Sequence, residues 1–178
     1  RAVAFNRSIK DSQKIEREFE DLVRINLRNR ENDDPTDDLG VQVRHIDGGF
    51  NAQSRAELLN WLKQEPNEEG QICRILTNAR CLTEGVDVPN LDAVLFLNPR
   101  NSMVDVIQAV GRVMRRAEDK KYGYIILPIA IPDGVSTAQA LSDNKRYKVV
   151  WQVLPALRAH DERMDATIHQ IELTASDT

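Results

Sequence analysis

The sequence predicts an α/β fold, a parallel sheet flanked by helices with a helical extension at its C-terminal end. Short apolar runs recur at residues 2–5, 41–46, 72–77, 91–97 and 122–129. Helical apolar spacing fills most of the intervals between them. The runs are nearly continuous rather than alternating, which is the pattern of strands buried on both faces. Crossovers between such strands are right-handed, and ligands in such sheets sit at the carboxyl ends of the strands.

Residues 2–5, Ala-Val-Ala-Phe, form the first strand, and Asn6-Arg7-Ser8 stands at its end. Ser8 is suited to cap the helix that carries Ile15, Phe19, Leu22 and Val23, because its hydroxyl accepts from an unpaired N–H of the first turn. Residues 32–38 are an acidic loop that lacks the glycine and closing glutamate of a calcium loop, so they read as a solvated connection. Residues 41–46 form the second strand, and Asp47-Gly48-Gly49-Phe50-Asn51 turns the chain into a helix over residues 52–63 around Leu58, Leu59 and Leu62. Residues 72–77 form the third strand. A polar stretch over residues 78–89 comes next, then a fourth strand over 91–97, a helix over 103–115 and a fifth strand over 122–129. The sheet pattern stops after Pro132. Beyond it Tyr147, Val150, Trp151 and Leu154, then Met164, Ile168 and Ile171, repeat at helical spacing. The division is therefore a domain over residues 1–132 and a helical extension over 133–178.

Composition narrows the function. The 178 residues are 41% hydrophobic, enough for a sizeable core, and the net charge is −4. That balance argues against a general polyanion surface but leaves room for a local basic groove. Cys73 and Cys81 have no metal-type spacing, and His45, His160 and His169 do not cluster. The sequence thus suggests no metal site and no disulfide framework, which fits a reducing, cytoplasmic compartment. No apolar run is long enough to span a bilayer, so no membrane partner is expected. The chain opens on Arg1 without an initiator methionine, and reads as a piece of a longer protein.

The stretch from Gln108 to Arg116 carries the sharpest chemistry. On a helix at about 100° per residue, Val106, Val110 and Val113 share one side while Gln108, Arg112 and Arg115 fall opposite. An amide and two guanidiniums on one face make a fork of donors suited to phosphate oxygens. Gly111 leaves room for close backbone approach. A charged helix face is more often simply solvated, so the blocks around it decide the weight of this reading.

Three blocks stand in fixed order on the α/β frame: residues 3–8, 77–89 and 108–116. Together they resemble motifs IV, V and VI of superfamily 2 helicases, in the second, C-terminal RecA-like lobe. Glu84-Gly85-Val86-Asp87-Val88-Pro89 looks like the core of motif V. Gln108 through Arg115 matches the Gln-x-x-Gly-Arg-x-x-Arg form of motif VI. His45-Ile46-Asp47-Gly48, with Arg55 downstream, resembles the segment between motifs IV and V. The resemblance covers roughly the first three quarters of the chain. In the extension, Ala140-Leu141-Ser142, residues 151–154 and residues 157–161 look like large bacterial or phage helicases. Some of those are single-chain restriction-modification enzymes with a helicase-like motor.

The resemblance implies a nucleotide-binding ATP hydrolase whose ATP and Mg2+ sit between two lobes. The Gly-rich phosphate loop and the acidic magnesium motif belong to the N-terminal RecA-like lobe of the same parent chain, and this sequence contains neither. Arg115 is implied as an arginine finger, Arg112 as a companion phosphate contact and Gln108 as a group that helps position the attacking water or the γ-phosphate. Glu84, Gly85 and Asp87 would complete the ATP side, although Asp87 reads equally well as a turn residue. Arg7, Ser8, Gly48, Thr77, Asn78 and Arg80 would hold the nucleic-acid backbone, expected to be DNA. Aromatics are only 5% of the chain, so a stacking platform is not expected and contact should be salt-sensitive rather than sequence-reading. The alternative is a degenerate lobe that binds nucleic acid or a partner without catalysis, against which Arg112 and Arg115 both stand. A dehydrogenase-type domain is disfavoured because no Gly-x-Gly-x-x-Gly turn comes after the first strand.

Overall fold

The computed structural model describes residues 1–29, 40–64, 72–79, 91–98, 102–115, 120, 122–128, 133, 134 and 153. Among these, strands and helices run in the order β1 (Ala2–Phe5), α1 (Ile9–Arg28), β2 (Gly40–Ile46), α2 (Ala52–Lys63), β3 (Ile72–Asn78), β4 (Ala93–Phe96), α3 (Met103–Met114) and β5 (Tyr124–Ile126). The sheet order is β2-β3-β1-β4-β5, and every neighbouring pair is parallel. This is the parallel α/β sheet that the apolar runs predict, with the RecA-like form that the motif resemblance implies.

Side chains alternate across the sheet, and each set finds its own helix. Val3, Phe5, Leu76, Val94 and Phe96 join Trp61 and Leu62 of α2 and Val106, Val110 and Val113 of α3 in the larger cluster. Ala2, Ala4, Val43 and Ile75 meet Ile15 and Phe19 of α1 on the other face. Val106, Val110 and Val113 are wholly buried while Val104 and Gln108 are exposed, so the apolar stripe sits where its spacing puts it. Burying each such valine contributes about 1.5–3 kcal/mol relative to leaving it in water.

The helices begin where their caps stand. Ser8 Oγ accepts from the Asp11 N–H at 3.1 Å, Asn51 Oδ1 from the Ser54 N–H at 2.8 Å and Ser102 Oγ from the Asp105 N–H at 3.3 Å. Losing such a cap costs about 1 kcal/mol.

Several boundaries differ from those the apolar spacing predicts. β4 and β5 are shorter than their apolar runs, because a strand lasts only as long as its ladder. β1 offers β4 four residues, and β5 pairs with β4 over three. Helix α3 ends at Met114, and Arg115 takes an extended cap conformation at φ −61°, ψ 135°. The change at ψ turns the chain away from the helix only beyond Arg115. Of the expected extension, Asp133 and Gly134 form an exposed turn, Val153 is helical and buried in the larger cluster, and the rest lies outside the described residues.

β2 is an edge strand, and α1 closes its open side. The Val43 N–H donates to Glu20 Oε1 at 2.6 Å and the His45 N–H to Glu16 Oε1 at 2.7 Å. Four helical residues rise about 6 Å and two strand residues about 6.6 Å, so the two carboxylates match two successive outward N–H groups. Satisfied edge donors no longer template pairing with another strand. No described helix is long and apolar enough to cross a membrane.

Candidate functional site

Register brings the strand-end loops together. Phe5 is level with Asn78 and Phe96, and Asn78 is level with Ile46. The segments beyond these strands therefore emerge at one carboxyl edge. There a groove of about 660 Å³ is lined by Arg7, Ser8, Lys10, Asp47, Gly48 and Arg55, among others. Among the described residues, three cations and one carboxylate line it. The buried Nε of Arg55 makes no hydrogen bond. A Cβ on Gly48 would meet nothing within 4 Å, so the groove is open over that backbone.

The expected strand contacts fare differently from one another. Arg7 and Gly48 are exposed at the groove. Ser8 lines it too, but its hydroxyl is spent on the cap, donating to Asp11 Oδ2 at 2.7 Å while accepting from the Asp11 N–H. Thr77 and Asn78 require correction, because both side chains are wholly buried. Thr77 Oγ1 accepts from Asn6 Nδ2 at 2.6 Å and lies 3.0 Å from Ser12 Oγ. Asn78 Nδ2 donates to the Ala4 carbonyl at 3.1 Å. Hydroxyl and amide groups turned into the core hold the strands together and do not reach a phosphate. Arg80, Glu84, Gly85 and Asp87 lie outside the described residues.

The buried polar atoms behind the groove form one connected line. Ser12 Oγ is 2.7 Å from His45 Nδ1, and His45 Nε2 is 2.9 Å from Asp47 Oδ2. Asp47 Oδ1 accepts from the Gly49 N–H at 2.7 Å. The His45 hydrogen bond, then that of Gly49, holds the Asp47 carboxyl below its usual range. Phe50 meets the His45 ring edge-on at 6.0 Å.

The donor fork lies at the opposite edge of the sheet. Helix α3 runs back from the end of β4, so its last turn reaches the amino ends of the strands. Gln108 is exposed, Arg112 half-buried and Arg115 exposed. Lys120 fixes that helix end: its Nζ donates to the carbonyls of Val113, Leu91 (2.5 Å) and Arg115 (3.4 Å). A lysine on the last carbonyls of a helix satisfies orphan acceptors and meets the negative end of the dipole. Burial pushes its pKa down. Gly123 passes so close that a Cβ there would stand 2.5 Å from the Val113 carbonyl oxygen. Among the described residues no group of His, Cys, Asp or Glu is placed to hold a metal ion.

Sequence reasoning missed Lys10, Lys120 and the polar line. Strand parity was the available signal. Thr77 shares a face with Ile75 and Asn6 with Ala4, and both of those partners point at α1. Ser12 lies three and seven residues before Ile15 and Phe19, on the same side of α1.

A five-stranded parallel sheet flanked by helices is the architecture of a RecA-like lobe. Residues 3–117 match the helicase conserved C-terminal domain, and the chain belongs to that family. A probable helicase of African swine fever virus is 36% identical over 89 residues, spanning 50% of this chain and 10% of its own. The structure of the ATP-dependent Type ISP restriction-modification enzyme LlaBIII bound to DNA aligns over 97% of this chain at 46% identity and a TM-score of 0.79. This chain covers 11% of that enzyme. The C-terminal domain of the DEAD-box protein Dbp5 aligns over 90% of this chain and 71% of its own, with a TM-score of 0.50 at 14% identity. That likeness establishes the fold alone. The chain spans about a tenth of the length of the viral helicase and of LlaBIII.

Proposed function

We propose that this chain is the C-terminal motor lobe of an ATP-dependent DNA translocase or helicase, of the kind that drives a restriction-modification enzyme. The observation that carries the reading is the separation of two charged surfaces on one family-defined lobe. Gln108, Arg112 and Arg115 sit at the end of α3, and a cationic groove lies at the carboxyl edge. The likeness to LlaBIII, whose structure is bound to DNA, supports DNA as the strand.

Each residue then has a task. Arg115 reaches the γ-phosphate across the cleft as charge shifts in the transition state. Arg112 holds a neighbouring phosphate oxygen, and Gln108 orients the attacking water. Glu84, Gly85 and Asp87 complete the nucleotide side. ATP and Mg2+ are held mainly by a phosphate-loop lobe, which supplies what this sequence lacks. Lobe closure on ATP and reopening after hydrolysis move the strand. At the other edge, Arg7, Lys10 and Arg55, with Arg80 and the Gly48 backbone, hold strand phosphates without reading bases. The domain ends near residue 132, and residues 133–178 form a helical extension.

The chain by itself is expected to turn over no ATP above background, because the phosphate loop and magnesium ligands are missing. Measurable turnover by the purified chain, abolished by Arg115→Ala, would contradict this. Binding of a fluorescein-labelled oligothymidylate is expected to weaken for Arg7→Ala and for Arg55→Ala, and each should reduce the slope of log Kd against log salt by about one. Affinity and slope unchanged in both variants would remove the groove as the strand site.

A further inference from the structure

We infer that His45 is a positioning residue for the groove: it holds the Asp47 carboxylate away from Arg55, so that the guanidinium stays available to a strand phosphate. The inference rests on the reading of the groove as the strand site.

The hydrogen-bond line has a direction fixed by its two ends. Asn6 Nδ2 can only donate, so Thr77 Oγ1 accepts from it. The Thr77 hydroxyl proton then goes to Ser12 Oγ at 3.0 Å, and the Ser12 proton to His45 Nδ1 at 2.7 Å. His45 Nδ1 is thereby the acceptor, and the ring carries its proton on Nε2. That proton is donated to Asp47 Oδ2 at 2.9 Å. The carboxylate can only accept, and it ends the line with the Gly49 N–H on its other oxygen. Asn6, Ser12, His45 and Thr77 are each at most 4% exposed, so water does not compete. Reversing the line by placing a proton on Nδ1 would drive a second donor onto Thr77 Oγ1 and leave the threonine hydroxyl without an acceptor. An unmade buried hydrogen bond of that kind is costly, so the fold selects a ring whose Nε2 carries the proton donated to Asp47.

The consequence falls on the groove. Asp47 is the only carboxylate among the described groove residues, against Arg7, Lys10 and Arg55. Both of its oxygens are engaged by the turn and the imidazole, which draws its charge toward the fold. Glu16 and Glu20 of α1, also beside β2, are occupied by the His45 and Val43 N–H groups. Without the imidazole, Oδ2 loses its partner, and Arg55, whose Nε makes no hydrogen bond, is the cation whose charge already acts on that carboxylate. An Asp47–Arg55 pair would cancel one of the three positive charges facing the strand.

The test is a double-mutant cycle on oligothymidylate binding by this chain, followed by fluorescence anisotropy. His45→Phe keeps an aromatic ring and removes the donor. It is expected to weaken binding about tenfold and to flatten the salt slope by about one, the mark of one lost phosphate contact. Adding Asp47→Asn should restore both to the level of Asp47→Asn alone. His45→Gln, whose amide can accept from Ser12 and donate to Asp47, should stay near the wild type. Weak binding that Asp47→Asn does not restore would overturn the inference, as would wild-type binding by His45→Phe. Arg55→Ala without effect on binding would instead sink the groove reading beneath it. If His45→Phe does not fold, the imidazole 15N shifts of the wild-type chain decide. A proton on Nε2, donated to Asp47, is expected, and an Nε2 that carries none would overturn the inference.

Discussion

Replacing Arg115 by alanine is expected to lower strand-stimulated ATP turnover by about 10³–10⁵-fold, in a protein that joins this lobe to a phosphate-loop lobe. Nucleotide affinity should stay close to the wild type, since the finger acts on charge that develops in the transition state rather than on bound ATP. Arg115 closes α3 in an extended conformation with an exposed side chain. Its own carbonyl and that of Val113 are held by Lys120. With the backbone fixed at the end of a packed helix, only the side-chain rotamers remain to be ordered on reaching a phosphate. Arg115→Lys should recover little, because an ammonium does not reproduce the planar fork. Turnover unchanged in Arg115→Ala would make the motif structural, and would bring forward the alternative of a lobe that binds without catalysing.

The second large effect is on stability. Phe96 is 1% exposed and stacks on Phe5 with ring centroids 5.4 Å apart. It lies in the cluster that joins the sheet to α2 and α3. Phe96→Ala is expected to cost about 3–5 kcal/mol, the transfer of the ring plus the cavity left behind. That is a large part of the roughly 5–15 kcal/mol by which ordinary domains are stable. Urea unfolding followed by circular dichroism measures it. A loss below about 1 kcal/mol would mean that the ring is not part of a packed core.

The parallel sheet and the buried face of α3 are legible in the amino-acid sequence, because both are written in the spacing of apolar residues. A four-residue run such as residues 2–5 has no polar member, and Val106, Val110 and Val113 return to one side of a helix. The ends of β4 and β5 are not legible for the same reason. Apolar character says that a residue is buried, not that it has a ladder partner. Topology puts the strand-end loops at one edge, but chain position alone does not separate side chains that face out from those that face in. Arg7 and Gly48 open on the groove, whereas Thr77 and Asn78 turn into the core. Lys120 carries no pattern at all, since a lysine that clasps helix carbonyls looks in sequence like any surface lysine.

The measurement that bears most directly on the motor reading is ATP turnover with and without nucleic acid, made on a protein in which this lobe is joined to its phosphate-loop partner. Single-stranded and duplex DNA and RNA would be compared, with Arg7→Ala/Arg55→Ala beside the wild type. Turnover is expected to rise on adding DNA, and the rise should be lost or need far more DNA in the double variant. Turnover indifferent to every strand, or equally stimulated after both arginines are removed, would contradict the motor reading.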